Sequence, residues 1–173
     1  MSISGLMVLD RNSKEIIMKG LIVEEMSRGY LTNMVDIFNA IDNKQREYNW
    51  LISYYECNLY PTEQIPLNND YVWIDGNTLT EIVENNEIQF IWGVFSGFLK
   101  HISYEEVIKY PLPLADYEGL WSLEVKIQHP LAAVEIIPWD SSLVVIKSSN
   151  HSILNKFKRF YPNSLDLSSY NAN

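Results

Sequence analysis

Apolar residues along this chain recur with two periods. Leu31, Met34, Val35, Phe38 and Ile41 fall three and four apart, which predicts a helix over Tyr30–Asp42, capped by Ser27. Ile153, Leu154, Phe157 and Phe160 repeat that spacing as the inner face of a helix that starts after Ser149 or Asn150. Lys156, Lys158 and Arg159 occupy its last turns, where the helix dipole favours cations. A shorter helix is predicted over Leu79–Asn85, capped by Asn77 or Thr78, with Leu79, Ile82 and Val83 inward. Ser103-Tyr104-Glu105-Glu106 has the spacing of a capping box and opens a short helix to Lys109, stopped by Pro111 and Pro113.

The other patterned segments read as strands. Gly20–Met26 is one. Tyr48–Leu59 is β-branched and aromatic; plain alternation puts Trp50, Ile52, Tyr54 and Glu56 on one face and Leu51, Ser53, Tyr55 and Cys57 on the other. Neither face is polar throughout, so a covered position is expected. Pro61 and Pro66 bound an irregular loop, and Tyr71–Ile74 is a short strand closed by the Asp75-Gly76 turn. Glu87–Leu99 is the most apolar stretch, and its Gly93 and Gly97 predict a bulge or a close backbone approach. Leu131–Ile137 and Ser142–Lys147 are spaced as an antiparallel hairpin. Between them and the capping box, LWSLEVKI at 120–127 alternates enough to be a further strand.

These elements sum to an α+β fold: a mostly antiparallel sheet of roughly five to seven strands with two main helices packed on one face. One domain is expected over 18–165, followed by a frayed tail at 166–173. Residues 1–17 are weakly patterned and are expected to be a non-native or disordered leader. Lys14-Glu15 can be encoded as AAGGAG, a ribosome-binding sequence just ahead of Met18, which makes Met18 the expected start.

Charge changes the picture more than composition does. Eight acidic residues and no Lys or Arg lie between Glu47 and Leu99, whereas the segments before and after are close to neutral. Most of the formal net charge of −9 therefore falls in one third of the chain. Such a field attracts cationic partners and repels nucleic acid and anionic membrane. The same third holds Trp50, Tyr54, Tyr55, Tyr60, Tyr71, Trp73 and Trp92, which serve either as core or, where exposed, as interface anchors. No run of about 18 apolar residues exists, and the single Cys57 permits no internal disulfide. A cytoplasmic protein is the expected reading.

No catalytic motif is present. His101, His129 and His151 have no metal-ligand spacing, and Cys57 lacks a CxxC partner, so neither metal nor cofactor is expected. Asp140, Ser141 and Ser142 are expected to form a turn rather than a nucleophile site. Gly93-x-x-x-Gly97 has apolar interiors and no Lys, which is packing rather than a phosphate cradle. Lys156, Lys158 and Arg159 make one small basic patch against an isoelectric point near 4.7, which argues against nucleic acid. Glu81, Glu84 and Glu87 are either a solvated helix face or a surface that opposes Lys and Arg on a partner.

The stretches YNWLISYYE (48–56), FIWGVFSGF (90–98) and PWDSSLVVIKS (138–148), followed by the helix and FYPNSLDL (160–167), resemble small acidic bacterial immunity proteins that neutralise secreted toxins. They are also similar to related uncharacterised Gram-positive families. The resemblance is of style over about 150 residues and implies a protein that binds and blocks a toxin without chemistry of its own. No functional residue carries over from it.

The expected function is therefore a non-enzymatic, antitoxin-like binding protein for a basic protein partner. The expected partner surface comprises Glu56, Glu63, Asp70, Asp75, Glu81, Glu84 and Glu87 with Tyr71 and Trp73. The alternatives are a phage or host interaction protein that inhibits a defence factor, and a small-ligand binder or enzyme with a Trp/Tyr-lined pocket.

Overall fold

A computed structural model describes residues 19–24, 32–59, 65–66, 69–86 and 88–173. The elements are β1 (Lys19–Val23), α1 (Met34–Ala40), β2 (Tyr48–Cys57), β3 (Tyr71–Asp75), α2 (Gly76–Asn86), β4 (Phe90–Leu99), α3 (Tyr104–Val107), β5 (Val134–Trp139), β6 (Leu143–Ser148), α4 (His151–Phe160), β7 (Leu165–Asp166) and α5 (Leu167–Asn171). The seven strands form one antiparallel sheet in the order β3-β2-β4-β5-β6-β1-β7. The fold is α+β, as the pattern of strands and helices predicts.

One face of the sheet carries α1, α2 and α4. Their Met34, Ile37, Phe38, Leu79, Val83, Ile153 and Phe157 pack on Trp50, Ile52, Phe95, Ile136 and Ile146 to make the main core. Asn33 caps α1 by accepting from the Val35 amide, and Asn150 caps α4 through the Ser152 amide. Ser27, Tyr30 and Leu31 lie outside the described residues. α2 starts earlier than Leu79 because the Asp75 carboxylate accepts the Asn77 amide at 2.8 Å. Gly97 of β4 lies against this core where a side chain cannot fit: a Cβ would stand 2.5 Å from Val134 Cγ1 and 3.0 Å from the Trp50 ring. A close approach by another backbone is one expectation for this glycine; the atoms that close on Gly97 are side chains instead.

The opposite face is covered mainly by a strap, residues 100–133, and by α5. The capping box forms at the start of α3: Ser103 Oγ accepts the Glu106 amide, and the Glu106 carboxylate accepts the Ser103 amide. Val107, Leu120 and Leu167 are buried against this face beside Leu51, Val94, Phe98, Ile137 and Val145.

Four expectations are corrected. Segment 120–127 is not a strand: a 3-10 turn at Glu118–Trp121 precedes irregular backbone. Buried side chains take its polar groups in place of a ladder, with Lys147 Nζ donating to the Lys126 carbonyl at 2.9 Å. Phe160, expected inward, is 48% exposed, and Tyr161 fills the buried position after Phe157. The tail at 166–173, expected to fray, is built into the fold: Leu165–Asp166 pairs with β1 and Leu167–Asn171 forms α5. Leu167 is buried on Gly20, where a Cβ would lie only 2.9 Å from its Cδ2, and Asp166 caps the helix through the Ser169 amide.

The fourth correction builds the site. Plain alternation fails in β2 because Tyr54 takes a left-handed conformation (φ 47°) and the register against β4 shifts between Ser53 and Glu56. One extra residue reverses the facing of everything after it. Tyr55 and Cys57 therefore join Trp50 and Ile52 in the main core, while Tyr54 and Glu56 are exposed.

Candidate binding groove

Beside that bulge lies a groove of about 600 Å³. Tyr54, Tyr55 and Glu56 of β2, Asn69 and Asp70 before β3, and Trp92 of β4 form three sides; Leu114, Ala115 and Asp116 of the strap form the fourth. The Tyr54 amide donates to the Asp70 carbonyl at 2.8 Å, which ties the floor together. The strap wall is pinned from beneath. Ser53 Oγ donates to the Pro113 carbonyl at 2.7 Å, and the Gln128 side-chain amide pairs with both backbone groups of Leu114 at 2.8 and 3.0 Å. Gln128 is held in turn by the Glu135 carboxylate, which accepts the Gln128 backbone N–H at 2.9 Å.

Among the described residues the groove holds three carboxylates, Glu56, Asp70 and Asp116, and no cationic side chain. None of the three makes an ion pair with a described residue. Other acids of the 47–99 segment differ. Asp75 is bound by Lys100, whose hydrogen bond holds its carboxyl below the usual carboxylate range. Glu84 faces Arg46 at 3.5 Å, and Glu47 binds Lys44 at 2.6 Å. The neutralising bases lie just outside the base-free stretch of sequence and reach back into it in space. Glu81 is exposed on α2, which packs on the helix-bearing face, whereas Asp75 and Asp70 stand at opposite ends of β3, roughly 16 Å apart along the strand.

The expected acidic surface is therefore two separate regions among the described residues. Glu56 and Asp70 come together in the groove; Asp75, Glu81 and Glu84 do not join them. Glu63 and Glu87 lie outside the described residues. Tyr71 and Trp73 are half-buried under α3. The Tyr71 hydroxyl is 2.6 Å from that of Tyr104, and the Trp73 ring contacts Phe98 and Tyr104 with centroids 5.6 and 5.9 Å away. They pack the strap onto the sheet.

Sequence reasoning missed the strap. Six of the eleven exposed large apolar side chains among the described residues lie there: Ile108, Tyr110, Leu114, Tyr117, Trp121 and Leu123. A run of rings leads out of the groove: Trp92 meets Trp139 edge-on at 4.7 Å, Trp139 meets Trp121 at 5.2 Å, and Trp121 meets Tyr170 at 6.5 Å. The two Pro beside the amphipathic fragments of 108–123 were a signal for irregular, exposed chain.

Among the described residues no group of three His, Cys, Asp or Glu could hold a metal ion. His129 is buried with its Nδ1 accepting the Leu131 amide and its Nε2 facing the Val107 carbonyl at 3.1 Å. Asp140 and Ser141 adopt left-handed conformations in the β5–β6 turn. No helix among the described residues is long and apolar enough to cross a membrane.

Comparison with protein-family models, with curated proteins and with solved structures finds no match to this chain.

Proposed function

We propose that this protein is a non-enzymatic binding protein of the immunity or antitoxin type, which neutralises a basic partner in the cytoplasm. One observation carries the reading: three carboxylates without a described ion-pair partner line a groove that also presents Tyr54 and Trp92 and, among the described residues, no base. Such a surface steers a cationic partner and anchors it with rings. A toxin that acts on an anionic substrate presents a basic active site of matching charge. The single, buried Cys57 is compatible with a reducing compartment.

The test is recovery of the tagged full chain from its native host at low and high salt. One stoichiometric, basic partner that is lost at high salt is the expected result. No partner at low salt contradicts the reading. A second reading, a small-ligand binder, draws support from the concavity of the groove, whose volume is in the range of ligand sites. A change in Trp fluorescence on adding a small ligand, with no protein partner recovered, favours it.

A further inference from the structure

We infer that the groove and the ring run beside it take an extended partner segment in which an arginine and an apolar side chain stand about three residues apart. The inference rests on the binding-protein reading above and names what the surface selects.

Charge complementarity identifies the first position. Glu56, Asp70 and Asp116 face the same concavity, and no cation among its described lining residues opposes them. Two of its walls are aromatic, the 42% exposed Tyr54 and the half-buried Trp92. A guanidinium is planar and weakly hydrated, stacks on aromatic faces, and forks onto a carboxylate with two parallel hydrogen bonds; an ammonium is a compact, strongly hydrated point charge that offers neither the planar stack nor the fork. Carboxylates and rings in one groove favour arginine over lysine.

The ring run sets the second position. From Trp92 in the groove wall, ring-to-ring steps of 4.7 and 5.2 Å lead through Trp139 to Trp121. Trp121 is 38% exposed, and its neighbour along the strap, Leu123, is 64% exposed. An extended chain advances roughly 3.3 Å per residue, so about three residues cover that distance. Both walls are fixed before a partner arrives: the Tyr54 amide is tied to the Asp70 carbonyl, Trp92 stands opposite Glu56 in the β2–β4 pairing, and Gln128 and Ser53 hold the strap. Little ordering cost then falls on association.

The probe is an acetylated, amidated hexapeptide of sequence GRGGLG, titrated at low salt with Trp fluorescence as the readout. Saturable binding is expected. Its Kd is expected to rise about tenfold or more when Gln replaces the peptide arginine, and by a similar factor in the triple variant Glu56→Gln, Asp70→Asn, Asp116→Asn. Replacing the peptide leucine by Gly, or Trp121 by Ala in the protein, is expected to weaken binding severalfold. Absence of saturable binding to the unaltered protein, or equal Kd for the triple variant, overturns the inference. If the native partner is still recovered in full by the triple variant, the groove assignment fails while the binding-protein reading stands. If the hexapeptide binds as expected and no protein partner is recovered, the reverse holds.

Discussion

Lys147 Nζ lies 2.6 Å from Glu135 Oε1 in the middle of the sheet, with both side chains essentially inaccessible to water. They are cross-strand neighbours in the β5–β6 hairpin. The ammonium also binds the Lys126 carbonyl, and the second carboxylate oxygen takes the Gln128 amide. The pair thus joins the sheet to the strap that walls the groove. Removing one partner strands a buried charge, so Lys147→Met is expected to cost about 3–5 kcal/mol in denaturant unfolding. Glu135→Leu with Lys147→Met is expected to recover much of that loss, since an apolar pair of similar volume avoids the desolvation penalty. Equal stability of the single and double variants contradicts this account.

Gly97 sits where Trp50 and Val134 close over the strand. Gly97→Ala is expected to destabilise by about 1–3 kcal/mol, because neither the Trp50 ring nor the Val134 side chain can retreat without disturbing the core. An unchanged melting temperature would show that the contact yields.

Burial holds the His129 imidazole below its ordinary pKa of 6.5, against the opposing pull of the Val107 carbonyl and of Glu135. With Nδ1 accepting the Leu131 amide, Nε2 carries the proton toward the Val107 carbonyl, and a second proton on Nδ1 breaks the Leu131 bond. The folded state binds this proton less readily than the unfolded chain does. Stability is therefore full above pH 6.5 and falls as pH drops from there toward the folded pKa. His129→Gln is expected to flatten the melting temperature over that window. An identical pH profile in the variant refutes the assignment.

Cys57 is buried in the main core, and burial, with the Glu56 charge second, pushes its thiol up to about 12. The thiolate is the reactive form, so a disulfide reagent at pH 8 is expected to label the protein only at its unfolding rate. Rapid labelling without denaturant contradicts the burial.

The local features of this chain are readable from sequence because their causes are local. Ser103 and Glu106 close the capping box, Asn150 caps α4, and β5 and β6 follow as a hairpin. The hairpin register even places Glu135 opposite Lys147, a pairing that could have been counted from the turn. What escaped depends on distant partners. The bases Arg46 and Lys100 that answer Glu84 and Asp75 come from outside the acidic stretch. The tail is ordered by Leu167 meeting Gly20, far away in sequence. The left-handed Tyr54 reverses the facing of Glu56 with no glycine at its own position to signal it; only Gly93, across the ladder, hinted at a bulge.

The location of the interaction surface is decided by comparing two variants in recovery of the native partner at low salt. One carries Glu56→Gln, Asp70→Asn and Asp116→Asn in the groove; the other carries Glu81→Gln and Glu84→Gln on α2. The groove variant is expected to lose the partner and the α2 variant to keep it. Retention by the groove variant together with loss by the α2 variant would contradict the groove and return the binding surface to the helix face.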